Sequence, residues 1–420
     1  MTMHSETAGQ IAAIVADRLA SPTDAHQFGL PQGWHPQSLA YGAAGVALLH
    51  VERARAGLGP WTRARDWIAC AAAGQIESWE KSHLHYGVPA VAFAMHAAAD
   101  RPGQYARALA ELDYNIARTT RHFLERAHVR MDTGGALPAL AEFDSIRGLS
   151  GFGAYLLRYD PSQDLLCDVL AYLVRLTEPV NVRGELFPGW WSDLAPSGRS
   201  SQGYPGGHSN HGLAHGIAGP LALLALSARR GVLVSGHLEA IGRICDWFDR
   251  WRQESPAGAW WPHLITRAQY RGEQGFAEKP SRPSWCYGTA GHARSQQLAA
   301  LAIGDTTRQH VAEHALKMAF TDPGHLALTV DRSICHGYAG MAHIAAQAAA
   351  DAATPGIAAC VPGLLREVGT APEEVAASLL QPEGGDIGLL EGGVGVALAL
   401  HSAAAGIAPV SGWDAFLLIN

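Results

Sequence analysis

Two kinds of apolar segment alternate along the 420-residue chain. In the first kind apolar side chains occur on every side. Leu221, Leu223, Leu224 and Leu226 cannot share one face of a 3.6-residue helix, and neither can Val46, Leu48 and Leu49. Helices of that make-up are buried all round. In the second kind the apolar residues form a stripe. Within GHLEAIGRICDWFDRWRQ, Ile241, Ile244, Cys245 and Phe248 follow i, i+3, i+4, i+7, while Arg243, Asp246, Asp249 and Arg250 lie off it. Similar stripes recur near 8–20, 62–79, 105–124, 163–176, 306–319 and 364–379. Strand signals are weak and confined to loops.

Each all-apolar segment follows a Gly-x-x-Gly. The pairs are Gly42/Gly45, Gly148/Gly151, Gly216/Gly219, Gly288/Gly291, Gly337/Gly340 and Gly392/Gly395, and Gly87-Val-Pro-Ala90 is a degenerate seventh copy. A single GxxG signals only close backbone packing. Seven copies, spaced too irregularly for a tight solenoid, suit helical hairpins with variable loops. Seven buried helices alternating with seven amphipathic ones predict an all-α fold of two concentric rings. The prediction is one domain over 1–420, with a small insertion or extension around 101–141.

Composition narrows the class. The chain is 48% apolar, which excludes disorder as its main state. A net charge of −7 with no basic block argues against nucleic acid as the main partner. Six cysteines without a CxxC pair do not make a disulfide scaffold. The first residues lack a positive region, Asp17 and Arg18 interrupt the apolar stretch behind them, and no apolar run is long enough to span a bilayer. An intracellular enzyme or binding protein is expected.

Helix N-termini gathered at one end of a ring would surround a cavity with their unpaired N–H groups. The residue before each first glycine should face that cavity. Those residues are Tyr41, Tyr86, Arg147, His215, Tyr287, His336 and Glu391, all polar or ionisable. Two copies also carry cysteine, in Ser284-Trp-Cys286-Tyr-Gly288 and Ser333-Ile-Cys335-His-Gly337. Two thiolates and an imidazole, from Cys286, Cys335 and His336, suit Zn²⁺ and leave a fourth position open. The competing reading of any such cysteine is a small buried hydrophobe. Cys70, Cys167, Cys245 and Cys360, with no glycine motif beside them, are read that way.

The Trp-Cys-Tyr-Gly and Cys-His-Gly motifs, with Ala214-His-Gly216 and the seven glycine-led helices, resemble the lanthionine synthetase C-like (LanC) family over nearly the whole chain. The resemblance implies an α/α toroid with one zinc, held by Cys286, Cys335 and His336. It implies a stand-alone cyclase that adds precursor-peptide cysteine thiols to dehydroalanine or dehydrobutyrine, forming (methyl)lanthionine thioether rings. Zinc would convert a thiol into a thiolate at neutral pH, and two thiolate ligands would keep the bound sulfur nucleophilic.

By the same resemblance His215 is the proton donor or relay to the enolate, with Asp144 near it. Arg282 would hold Asp144 or the enolate, and Tyr287 is a secondary candidate at the zinc site. Asp144 lies four residues before Gly148, where capping a helix N-terminus is an alternative role. The partners implied are a dehydrated precursor peptide, a dehydratase and an exporter. The location implied is cytoplasmic, including a peripheral place at the membrane in a biosynthetic complex. The alternative function is a zinc protein that binds thiol peptides or glutathione without forming rings. An α/α-barrel carbohydrate enzyme ranks far behind, because only Asp144 and Glu391 are acids in candidate cavity positions.

His85, His208 and His211 either line the cavity or satisfy local hydrogen bonds. Trp190-Trp191 and Trp260-Trp261 either pack or form a peptide-binding rim. The arginine-rich run within 101–141 reads as a solvated helix, with an acidic leader peptide as the alternative partner.

Overall fold

A computed structural model describes residues 3–25, 28, 33–160, 162–276, 279–381 and 387–420. It is predominantly helical, and its contacts divide it into two compact units. The first comprises 1–116, 329–351 and 355–414; the second comprises 117–328, 352–354 and 415–420.

The glycine-led segments are helices in both units. Ala43–Arg55, Val88–Ala98, Tyr338–Asp351 and Gly393–Ala405 belong to the first; Leu149–Tyr159, Ala218–Arg229 and Thr289–Ile303 belong to the second. They are buried almost throughout. Within the first unit they touch in the order 338–351, 393–405, 43–55, 88–98, and within the second in the order 149–159, 218–229, 289–303.

The striped helices pack behind them. Trp61–Ala71, Asp164–Leu176, His237–Trp251, Thr306–Thr321 and Val361–Val368 each contact the buried helix that precedes them in the chain. Met3–Arg18 lies against the last buried helix, Gly393–Ala405. Its apolar face (Ile11, Ala12, Val15, Ala16) is thereby covered.

Boundaries depart from the periodicity in three places. The stripe over 62–79 stops at Ala71, and Gly74 follows at φ +76°. The stripe over 105–124 continues to the end of a 28-residue helix, Ala106–Thr133. The stripe over 364–379 is two helices, Val361–Val368 and Pro372–Leu379. Gly369 at φ +136° interrupts it, and Pro372 restarts it at the first helical position, where its missing N–H costs nothing.

The buried helices are also less purely apolar than their leucines suggest. Glu52 is buried because its carboxylate accepts the N–H groups of Val410 (2.9 Å) and Ser411 (2.8 Å). Arg294 is buried because it donates to the Ile419 carbonyl at 2.8 Å. Both are compensated polar anchors for chain segments near the C-terminus.

Among the described residues the strands form three antiparallel pairs in loops: Val180–Val182 with Glu185–Phe187, His208–Asn210 with Leu264–Thr266, and Gln253–Ser255 with Gly258–Trp260. The second of these fixes the start of the loop that carries His215. No described helix is long and apolar enough to cross a membrane.

Candidate functional site

Four of the loops that enter the buried helices, those with Ser38, Asp144, Ser284 and Ser333, share one construction. Four residues before the first glycine stands a side-chain oxygen that accepts the N–H of the residue just before that glycine. Ser38 Oγ takes Tyr41 N–H (3.0 Å), Ser284 Oγ takes Tyr287 N–H (3.3 Å) and Ser333 Oγ takes His336 N–H (3.2 Å). The backbone carbonyl of the same residue accepts the second glycine's N–H, as in Gly291 to Ser284 (3.0 Å) and Gly340 to Ser333 (3.1 Å). The chain therefore doubles back onto the helix N-terminus. A Cβ on Gly291 or Gly340 would run into the carbonyl of Trp285 or Ile334.

Neighbouring loops are also laced together. Leu39 N–H donates to His85 O, Leu389 to Ala40 and Cys335 to Leu390 in the first unit; Ala214 donates to Cys286 and Ser145 to Ala214 in the second. These bonds hold the backbone just before the residue that precedes each first glycine. Tyr41, Tyr86, Arg147, His215, Tyr287, His336 and Glu391 are all partly or fully exposed, although most of their neighbours are buried. The expected functional slot is the accessible one.

Asp144 occupies the capping position that serine fills in the loops at Ser38, Ser284 and Ser333. Its Oδ1 accepts N–H groups from Ile146 (3.1 Å), Arg147 (2.6 Å) and Gly148 (2.8 Å), and its backbone carbonyl takes Gly151 N–H (3.2 Å). A carboxylate has a second oxygen. Oδ2 lies 2.7 Å from His215 Nδ1, and since a carboxylate only accepts, Nδ1 carries the hydrogen and the neutral ring keeps a lone pair on Nε2. One side chain, 1% exposed, thus makes both the capping contacts and the contact with His215.

Tyr287 stacks on His215, with ring centroids 6.1 Å apart and planes inclined by 26°. Cys286 adjoins it, buried, its Sγ donating to Ser284 Oγ at 3.6 Å. Gly212 permits this approach, because a Cβ there would meet the Cys286 carbonyl and the Tyr287 ring. Arg282 lies in the same loop, its carbonyl against Gly288.

In the first unit Cys335, His336 and Glu391 each offer a donor atom, all within 4.8 Å of one another. His336 Nδ1 donates to Asp331 Oδ2 at 2.6 Å, which leaves Nε2 turned toward Glu391 Oε1 at 3.6 Å. Burial raises the Asp331 carboxyl, but hydrogen bonds from His336 and Ser333 outweigh it and bring it to about 2. His336 beside it holds the Glu391 carboxyl below its ordinary value, with a further contribution from Tyr41.

A family model described as lanthionine synthetase C-like protein matches residues 33–418. The chain belongs to that family. The Nisin biosynthesis protein NisC of Lactococcus lactis subsp. lactis is 30% identical over 207 residues, a stretch covering 48% of this chain and about half (48%) of that protein's length. A solved structure of nisin cyclase aligns with a TM-score of 0.76 at 23% identity, covering 91% of this chain and 92% of that one. That likeness shows the fold, the α/α toroid that the family resemblance implied.

Family membership raises the question of whether a zinc ion suits these residues. At 335, 336 and 391 the donors are a thiol, an imidazole and a carboxylate, which is zinc chemistry. Asp331 supplies the carboxylate partner that metal-binding histidines characteristically have on their other nitrogen. The residues fit. Cys286 belongs to the second unit, and Cys335 and His336 to the first.

Two of these groups escaped the sequence reading. Asp331 stands five residues before His336 and carries no motif of its own. Glu391 was in the accessible slot but was not read as a donor to metal. Of the remaining candidates, His211 satisfies local hydrogen bonds. His211 donates from Nδ1 to Pro262 O and accepts from Trp247 Nε1 at 2.7 Å, which fixes its tautomer. Burial lowers His208 and His211 to about 4. Trp190, Trp191, Trp260 and Trp261 are buried packing residues and form no rim.

Proposed function

We propose that the protein is a zinc-dependent lanthipeptide cyclase that joins cysteine thiols of a dehydrated precursor peptide to dehydroalanine or dehydrobutyrine, forming thioether rings. The observation that carries this reading is the Cys335–His336 donor pair with His336 oriented by Asp331, in a chain of this family. Cys286 is assigned as the third protein ligand on the family pattern. Zinc, when bound, lowers the pKa of a coordinated thiol and supplies a thiolate at neutral pH.

The chain's own residues then have defined tasks. Asp331 keeps His336 in the tautomer with a lone pair on Nε2. Conjugate addition forms the S–C bond at the β-carbon and leaves an enolate whose α-carbon takes a proton, so the net reaction is addition of S–H across C=C. His215, with Nδ1–H committed to Asp144, handles that proton at Nε2. Tyr287 stacks against the His215 ring. Both Asp144 oxygens are already engaged, so Arg282 is assigned to the enolate. Docking to a dehydratase and an exporter, and a peripheral place at the membrane, belong to the same reading.

Incubation with a dehydrated precursor, thiol alkylation and mass spectrometry test the activity. The free-thiol count should fall by one per ring at unchanged peptide mass. An unchanged count in zinc-loaded protein would refute cyclisation and favour the thiol-binding alternative. Zinc should be near one per chain, and lost in Cys286→Ala and Cys335→Ala; a folded protein that takes up no zinc would remove the basis of the reading.

A further inference from the structure

We propose that residues 415–420 position Cys286 for zinc, by holding the indole of the tryptophan beside it. The inference rests on the reading of Cys286 as a zinc ligand. All of these residues belong to the second unit. Trp285 is 1% exposed, and its Nε1–H donates to the Leu417 carbonyl at 2.9 Å. Two other bonds tie the same loop and are longer: Ala214 N–H to Cys286 O and Tyr287 N–H to Ser284 Oγ, each 3.3 Å. The indole bond is the shortest of the three. The loop of Cys335 is built differently. There Ile334 has no polar side chain, and the backbone makes the tie, Cys335 N–H to Leu390 O at 2.9 Å.

The acceptor is set as firmly as the donor. Phe416, Leu417, Leu418 and Ile419 are all buried. Leu418 has φ +55°, a left-handed conformation that a bulky side chain keeps only where its surroundings impose it. The residues on either side of it supply the carbonyls in use: Leu417 O takes the Trp285 indole, and Ile419 O takes Arg294 Nε–H at 2.8 Å. Arg294 is itself buried and braced, since it donates to Gln297, which donates to Glu313 at 3.1 Å. The turn at Leu418 therefore aims two carbonyls at one loop and the helix that follows it, Thr289–Ile303.

Apolar filling alone would need no such bonds. Burial of the tail against the Trp285 ring is non-directional, whereas an indole N–H on a fixed carbonyl sets the rotation of the ring and so the backbone at 285–286. A metal ligand whose backbone is already in place does not have to be ordered when the ion binds, and that saving appears as metal affinity. The tail thus acts on the zinc through Trp285 and Cys286, without contributing a donor of its own.

The test compares two tryptophans. Trp67, in the first unit, is likewise 1% exposed and donates its Nε1–H to a carbonyl, that of Leu19, at 2.9 Å. Trp285→Phe and Trp67→Phe each remove one buried indole bond and leave an aromatic ring. Both metal-free variants should melt below the unmodified protein, with circular dichroism showing that they fold. By chelator competition Trp285→Phe should hold zinc about 10-fold more weakly, and Trp67→Phe should hold it as the unmodified protein does. Removal of residues 417–420 should weaken zinc binding at least as much, and adding Trp285→Phe to that deletion should change it little further, because both act on one bond. Trp285→Phe with unmodified zinc affinity, or the two tryptophan variants weakened alike, overturns this inference alone. An unmodified protein that binds no zinc, or a Cys286→Ala variant that binds it undiminished, overturns the reading beneath it.

Discussion

Replacing Asp144 by serine should separate its two jobs, because serine performs one of them at positions 38, 284 and 333 of this chain. Asp144→Ala removes the acceptor for three N–H groups, at 3.1, 2.6 and 2.8 Å, beneath a surface that leaves Asp144 1% exposed. Hydrogen bonds to a charged group are worth about 1.5–3 kcal/mol each, but the three donors share one oxygen and water can reach Arg147, which is exposed. A loss of about 3–5 kcal/mol is expected, larger than a typical cap deletion of about 1 kcal/mol. Asp144→Ser restores an acceptor for Arg147 N–H, as Ser333 does for His336, and should cost only about 1–3 kcal/mol. Neither variant has an oxygen for His215 Nδ1. Both should lose cyclisation by about 10²–10⁴-fold, the range seen when a histidine's orienting carboxylate is removed. Urea denaturation gives the stabilities, and alkylation with mass spectrometry gives the rates. Serine and alanine variants equally destabilised would refute the shared capping role. A serine variant cyclising at the unmodified rate would refute the positioning of His215.

Three further outcomes follow from other parts of the molecule. Gly242 and Gly291 are both helical; a Cβ at 242 meets nothing within 4 Å, while one at 291 strikes the Trp285 carbonyl. Gly242→Ala should therefore stabilise by about 0.5–1 kcal/mol, whereas Gly291→Ala should destabilise by about 2 kcal/mol or more, in thermal melts. Burial lowers His50 to about 4, so between about pH 6.5 and 4 the unfolded chain binds a proton that the folded protein refuses. Stability should fall as pH drops through that window, by up to about 3 kcal/mol for this group, and the slope of urea midpoint against pH should be shallower in His50→Gln; an unchanged slope would contradict the assignment. Asp331→Ala frees His336 to take either tautomer and should weaken zinc binding about 10- to 100-fold by chelator competition, and it should also lower the metal-free melting temperature, because the Ser333 N–H loses its acceptor.

What could be read from the chain alone was whatever is repeated. The all-apolar helices and the residue before each leading glycine recur seven times and the glycine pairs six, so each copy supports the others, and the accessible slot was found without coordinates. The single-copy features were not legible in the same way. Asp331 resembles any loop aspartate until its carboxylate is seen 2.6 Å from His336, a contact that requires the loop to double back. Glu52 and Arg294 interrupt apolar helices without breaking them, because their partners, Val410, Ser411 and Ile419, come from distant parts of the chain. The stripe over 364–379 kept a helical period across two helices, since Gly369 breaks the backbone without shifting the apolar count.

Asp144 shows why repetition and function had to be read together. As a member of the repeat it is a capping residue equivalent to serine, and the structure gives it that work through Oδ1. What distinguishes it is the oxygen that serine lacks. That oxygen meets His215, which belongs to the loop of the next glycine motif and is brought there by the lacing of Ser145 N–H to Ala214 O. The same lacing sets Ala214 against Cys286, one residue before Tyr287, which stacks on His215. Where one loop is bound to the next through position −2, adjacent −1 side chains are brought together, as His215 and Tyr287 are. Single residues can then change in a frame that the glycines and caps already hold, and the His215–Asp144 contact is such a change.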